Sequence, residues 1–141
     1  MKAIDIKTKP LAASETHRLL PKLLVFISAV TVLTGAVQVV AAPLVLSFIG
    51  ASTDKTSAHF FAIIGMFMVL FGGLLWQTLR QAPVGPEPVF WCGLQKLGAA
   101  AAVGLGVLNG IFSGLALGVA FFDLVSGILI FTYWQKLKIK T

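Results

Sequence analysis

The sequence is poor in the residues on which most catalytic and stabilising chemistry depends. It has one cysteine, Cys92, and two histidines, and only 11% of its residues are charged. A single cysteine excludes an internal disulfide, a C-x-x-C redox pair and a zinc site built from cysteines. A water-soluble domain carries roughly 25% charged residues. The low charge content therefore excludes an ordinary soluble fold.

Recognisable catalytic motifs are also missing. The sequence contains no H-E-x-x-H, no phosphate-binding P-loop and no G-x-G-x-x-G fingerprint. Asp123 is the only carboxylate inside an apolar segment, so a pair of catalytic carboxylates cannot form there. No cluster of three metal ligands is apparent. We therefore predict no catalytic residues and no metal site, and we leave the cofactor unknown, with quinone and pigment as open candidates.

Long apolar runs are what the sequence has in abundance, since 57% of its residues are hydrophobic. A membrane-spanning helix needs about 20 mostly apolar residues, and four segments meet that requirement. The predicted spans cover about 23–48, 59–79, 89–108 and 115–134, between an N-terminal tail, 1–22, and a basic C-terminal tail, 135–141. Short connections make successive helices antiparallel neighbours. The predicted fold class is thus an all-α, integral membrane, antiparallel four-helix bundle.

The basic residues predict the orientation of the chain. The formal net charge is +6, and the basic residues flank the spans instead of forming a patch with interleaved aromatics, which argues against nucleic acid as a partner. All but two of the lysines and arginines fall on one side of the predicted membrane: Lys2, Lys7, Lys9, Arg18, Lys22, Arg80, Lys136, Lys138 and Lys140. Cytoplasmic segments carry such an excess. We expect a bacterial inner (plasma) membrane protein with both termini cytoplasmic. Its expected partners are the lipid bilayer and other membrane proteins or further copies of itself.

Small and polar residues recur on one face of each span. Helices in lipid associate through small residues and polar contacts, so we expect these four faces to meet in the bundle. They comprise Ser28, Thr31, Gly35, Gln38 and Ala42; Ala62, Gly65, Val69, Gly72 and Trp76; Gln95, Gly98, Ala102 and Gly106; and Ala116, Ala120, Asp123 and Gly127.

Asp123 is the strongest candidate for a functional residue because it lies close to the predicted bilayer midplane. A carboxylate there costs several kcal/mol unless it is paired, hydrated or protonated. It is either a proton or ligand site or a structural hydrogen-bond partner for Gln38, Thr34 or Lys96. Lys96 stands about 100° around its helix from the Gln95 face. A direct pair with Asp123 and snorkelling to the interface therefore both stay open. We predict an intramembrane polar cluster of Asp123, Lys96, Gln95, Gln38 and Thr34.

His59 is a further candidate, as an axial ligand to a haem or chlorophyll, since it begins the second span. The alternative is an interfacial histidine with no role. His17 lies in the tail on the opposite side, which excludes a haem held by two histidines of one chain.

Three stretches resemble one family of small membrane proteins. They are GMFMVLFGGLLWQTLR in the second span, LQKLG in the third and FFDLVSGILIF in the fourth. Together they are similar to the DoxX-like group of four-span bacterial proteins, which show a glycine-rich second helix, a lysine in the third and an aspartate in the fourth. Lys96 and Asp123 are the residues that carry over. The third helix in that group often has Gly-Lys where this chain has Gln95-Lys96. The resemblance implies a link to membrane redox chemistry or a quinone-side accessory role.

These observations leave several functions in competition. The first is a non-enzymatic accessory, assembly or structural subunit of a membrane complex, which fits the missing catalytic motifs. The second is a quinone-linked redox subunit of DoxX-like type, and the third is a small-solute or proton carrier. Pigment or haem binding is the fourth. Whether the chain is an enzyme stays undecided from the sequence.

Overall fold

The computed structural model describes residues 11–139, with side chains from residue 19 onward. The predicted tails therefore lie partly outside it, at residues 1–10 and 140–141. Five helices follow one another: α1 (Leu11–Val40), α2 (Ala42–Phe48), α3 (Lys55–Leu79), α4 (Pro86–Leu108) and α5 (Ala116–Lys138). The described residues contain no strand. Four of the helices, α1, α3, α4 and α5, are long and apolar enough to cross a membrane. The predicted all-α membrane bundle is confirmed.

The first predicted span, 23–48, differs from the structure because it is divided at Ala41. This residue has a non-helical backbone (φ −129°, ψ 39°), and the short helix α2 begins directly after it, with Pro43 in its first turn. Proline has no N–H to donate, so it fits best in the first turn of a helix and kinks or breaks a helix elsewhere. At Pro43 the chain breaks and starts a new helix, whereas α1 continues past Pro21. On the other side, α1 already begins at Leu11, inside the segment predicted as a tail.

The loops are shaped by specific turn residues. Asp54 caps α3, since its Oδ1 accepts hydrogen bonds from the backbone N–H groups of Thr56 (2.9 Å) and Ser57 (3.0 Å). Gly50 and Gly110 end the preceding helices with φ of 70° and 69°. That left-handed backbone favours glycine, which has no Cβ.

The helices pack as two antiparallel pairs. α1 packs extensively against α3, and α4 against α5, whereas contact between the pairs is much sparser. In the first pair, a Cβ placed on Gly35 would lie 2.6 Å from the carbonyl oxygen of Gly65. In the second, a Cβ on Gly127 would lie 2.6 Å from Leu97 Cδ2. Each pair thus depends on glycines that let two backbones come close, as is typical of helices in lipid.

The predicted packing face of α4 is only partly confirmed. Gly106 of that face is buried, but Gly98 and Ala102 are exposed, and the other buried residues of the helix are Val89, Cys92, Gly93 and Lys96. Two contacts explain the difference. Gly93 fits against the Phe131 ring of α5, where a Cβ would lie 3.0 Å away. Lys96 reaches a carboxylate on α5, and a buried charge outweighs the preference for small residues.

The two ends of the bundle are built differently. The terminal half is the end of the bundle where α1 begins, α5 ends and the α3–α4 loop lies. It holds a core of Leu20, Leu24, Ile27, Leu75, Val89, Cys92 and Ile130. The loop half, at the end with the α2–α3 and α4–α5 loops, holds a smaller core of Leu46, Ile49 and Ala116. Its two loops are joined by a 2.7 Å hydrogen bond from the Ser113 N–H to the Ile49 carbonyl.

Candidate functional site

A buried ion pair joins the two helices of the second pair. The Nζ of Lys96 on α4 donates to Oδ1 of Asp123 on α5 at 2.5 Å, and each residue is only 3% exposed. Asp123 lies about 10 Å along the helix axis from the first residue of α5, at 1.5 Å per residue. The pair is therefore well inside the hydrocarbon region, which is about 30 Å thick.

The local sequence explains why the two charges meet. The close approach at Gly127 brings α5 against Leu97, one residue from the lysine. Phe122 covers the ammonium group, with Lys96 Nζ 5.1 Å from its ring centroid. An isolated charge at this depth would be costly, so pairing is the arrangement that lets both residues be buried. The pair carries no net charge.

Two neighbouring cavities meet beside the ion pair. The first has a volume of about 460 Å³ and lies mainly between α3 and α4, and the second has about 490 Å³ and lies between α1 and α5. Six residues line both cavities: Gln38, Val45, Ile49, Met68, Val119 and Asp123. Volumes of 300–1,000 Å³ are those of ligand sites. Lys96 lies behind Asp123, outside the lining of either cavity.

The cavities are open to the surface of the bundle. Toward the loops both are lined by Ile49, and the first is also lined by Phe112 and by the exposed Asn109 and Ile111. Their rims are large apolar side chains that are exposed on the bundle surface, such as Phe67 for the first cavity and Phe48 for the second. The surface of the spans contacts hydrocarbon, so the openings face lipid.

Gln38 supplies an unsatisfied polar group next to Asp123. Its Oε1 is buried and has no hydrogen-bond partner among the described residues. A buried amide without a partner costs about 1–3 kcal/mol. The side chain lines both cavities, so a molecule bound there could satisfy it.

The other predicted site residues are less involved. Gln95 lines the first cavity only. Thr34 lines the second, but its hydroxyl donates to the carbonyls of Val30 (2.9 Å) and Thr31 (3.1 Å) in its own helix. The structure therefore gathers Asp123, Gln38 and Gln95 around the cavities, and Lys96 is paired with Asp123. Their role in binding stays a prediction.

His59 lies apart from this cluster, near the start of α3. It is exposed, and its ring centroid is 6.2 Å from that of Phe60. It borders a shallow depression with Ala36 and Val40. Within residues 19–139, no group of three or more His, Cys, Asp or Glu side chains could hold a metal ion. The axial-ligand role of His59 stays a prediction.

Sequence reasoning missed the apolar members of the site. Val45, Met68 and Val119 line both cavities, yet nothing in their spacing separates them from residues that face lipid. The one available signal was Pro43, because the helix break before it moves α2 over the end of the bundle.

Comparison with known proteins gives no further guide to identity. No family model matches the sequence, and neither a curated protein nor a solved structure is significantly similar to it. Membership of the DoxX-like group stays a prediction. The chain is a small polytopic integral membrane protein, and any specific function has to be argued from its own geometry.

Proposed function

We propose that the protein is a non-enzymatic accessory subunit of a larger membrane complex. The observation that carries this proposal is the exposed side of α4. A Cβ on Gly98 or Gly104 would have no atom of the described chain within 4 Å, and Ala101 between them is exposed. Glycine inside a helix is about 1 kcal/mol less favourable than alanine. Gly98, Ala101 and Gly104 follow one another along one side of α4, and a run of small residues of this kind favours close packing of a helix from another protein.

The test is mild extraction of the tagged protein from its native membrane, followed by mass spectrometry of the proteins that remain bound. In the variant Gly98→Leu, the larger side chain would hold the partner helix away, so we expect the partner to be lost. The matched control is Gly73→Leu on α3, which is also free of contacts within the described chain and should retain the partner. Recovery of the wild-type protein without any stoichiometric partner would contradict the proposal.

A second candidate is the quinone-linked redox subunit that the DoxX-like resemblance implies. The observation in its favour is that Lys96 and Asp123, the two residues that carry the resemblance, form one ion pair beside two cavities. Electrons would have to come from a redox partner. The test is quinone reduction by the purified complex, compared between wild type and Asp123→Asn. The solute or proton carrier has no comparable observation in its favour and stays a prediction.

We further propose that the terminal half faces the cytoplasm of a bacterial inner membrane. Lys22, Arg80, Lys136 and Lys138 lie at that end, and Lys55 lies at the other. Such a bias favours a cytoplasmic location. Single cysteines introduced at the exposed loop positions Thr53 and Gln81, in a Cys92→Ser background, would test it. A membrane-impermeant thiol reagent should label the first in intact cells and not the second.

A further inference from the structure

Asp123 and Gln38 form a polar floor that the two cavities share. This floor offers hydrogen-bond acceptors that the described chain does not use. The Asp123 carboxylate makes one hydrogen bond with the described side chains, from Lys96 to Oδ1. Gln38 Oε1 is buried and unpartnered among the described residues. Both side chains line both cavities, so both face the same space. Buried polar groups in proteins are nearly always hydrogen-bonded, which indicates that a bound molecule completes this site.

The position of the site restricts what that molecule can be. Around the polar floor the lining is apolar, and the rims are exposed side chains that face lipid. A ligand would therefore enter from the bilayer and have a largely apolar body. A charged or zwitterionic headgroup would be costly at this depth, and the Lys96–Asp123 pair is already balanced. The headgroup should be neutral and small.

The donors and acceptors of the floor select among neutral headgroups. A carboxylate can only accept hydrogen bonds, whereas a glutamine amide can donate through its NH₂ group and accept through its oxygen. A hydroxyl carries one proton, so it can donate to the unpartnered Gln38 Oε1 while Asp123 stays paired with Lys96, and its own oxygen can still accept a hydrogen bond. A ketone or an ether offers only acceptors and would leave Gln38 Oε1 without a donor.

We propose that the two cavities bind a neutral lipid with a single hydroxyl headgroup, of the long-chain alcohol type. Its hydroxyl donates its proton to Gln38 Oε1, next to Asp123, and its alkyl chain lies in the cavities among Val45, Met68 and Val119. The proposal is independent of the accessory role, because the cavities lie between the helix pairs and the exposed Gly98 lies on the surface of α4.

The test uses a hexadecanol carrying a photoreactive diazirine on its chain, with the matching methyl ether and methyl ketone as comparison probes. The full-length protein is reconstituted in nanodiscs, irradiated and analysed by peptide mass spectrometry. We expect the alcohol to label cavity-lining residues, and to do so roughly two- to tenfold more than either comparison probe, which is the range that one net hydrogen bond supports.

Matched variants separate binding in the cavities from contact with surrounding lipid. Gly118 lines the second cavity, and Gly73 lies outside the lining of both; a Cβ on either would have no described atom within 4 Å. Gly118→Leu should fill the cavity and reduce labelling, whereas Gly73→Leu should not. Gln38→Leu should remove the preference for the alcohol, whereas Gln77→Leu, at an exposed position on α3, should keep it. Circular dichroism and the unfolding midpoint confirm that each variant is folded.

Three outcomes would overturn the proposal. Equal labelling by the alcohol and the ether would show that the hydroxyl is not recognised. Stronger labelling by the ketone would indicate an acceptor-bearing ligand such as a quinone. Labelling that Gly118→Leu leaves unchanged would mean that the probe contacts the outside of the bundle.

Discussion

The terminal half and the loop half of the bundle use the same four long helices in different ways. In the terminal half, side chains from all four meet in one core, and the rings of Phe90, Phe131 and Trp134 pack edge-to-face or tilted, with centroids 5.2–5.8 Å apart. In the loop half, the two helix pairs separate around cavities of about 460 and 490 Å³. The Lys96–Asp123 pair lies near the border. The terminal half therefore supplies most of the packing that stabilises the fold, and the loop half can contain cavities.

Breaking the ion pair should have the largest effect on stability. Lys96→Met leaves the Asp123 carboxylate buried without a partner, and we expect it to lower the free energy of unfolding by about 3–5 kcal/mol. Unfolding in mixed micelles, titrated with a denaturing detergent, would measure this loss.

The double variant Lys96→Met/Asp123→Leu is the control for this prediction. It replaces both charges with apolar groups of similar size, so its stability should return to within about 1 kcal/mol of the wild type. A double variant as unstable as Lys96→Met would show that the pair does more than neutralise two buried charges.

Forcing the first helix pair apart should have the next largest effect. A Cβ on Gly65 would lie 2.7 Å from both Gln38 Cβ and the Gly35 carbonyl oxygen. Because the backbone of Gly35 cannot rotate away as a side chain can, Gly65→Val should lower the free energy of unfolding by about 1–3 kcal/mol. The control is Gly73→Val on the same helix, where no described atom lies within 4 Å. Similar thermal midpoints for the two variants would be inconsistent with close packing of α1 on α3.

Truncating one side chain in each half tests the comparison itself. Ile130 is fully buried in the terminal core, and Val119 lines both cavities and is 43% exposed. We expect Ile130→Ala to cost about 2 kcal/mol, because it removes packing contacts that cannot re-form. Val119→Ala should cost less than about 0.5 kcal/mol. Equal losses, measured by the same detergent titration, would mean that the loop half is as tightly packed as the terminal half.

The cap of α3 should have the smallest effect, and it should depend on pH. Hydrogen bonds from Ser57, and then from Ser52, lower the pKa of Asp54 below its ordinary value of 3.8. A folded-state pKa below the unfolded value stabilises the fold above pH 3.8, and this stabilisation is lost as the pH falls below it. Asp54→Ala should lower the unfolding midpoint slightly at neutral pH and remove this acid dependence. Asp54→Asn, which keeps an acceptor, should be closer to wild type at neutral pH.

How far the sequence predicts this structure depends on the kind of signal each feature leaves. Four long apolar runs are unambiguous, and they were enough to predict the spans and the fold class. The break at Ala41 was not predicted, although Pro43 was visible, because a proline near a helix end can either kink or restart the helix. The face of α4 was predicted from its small residues and was only partly correct, because the burial of Lys96 depends on where α5 places its carboxylate.

The candidate site was predictable only in its polar part. Asp123, Lys96 and Gln38 stand out because polar groups are costly inside apolar spans. The cavities could not be predicted, since they result from the separation of two helix pairs and no local pattern records an empty space. Gln38 shows the limit most clearly, because its position on the packing face was evident and its unsatisfied oxygen was not.

The most direct test of a binding space in the loop half is native mass spectrometry of the protein released from nanodiscs made from its own membrane. We expect part of the wild-type protein to carry one neutral lipid, which Gly73→Leu retains and Gly118→Leu loses. A wild-type protein without any bound molecule would contradict the account. So would a bound molecule that both variants retain equally.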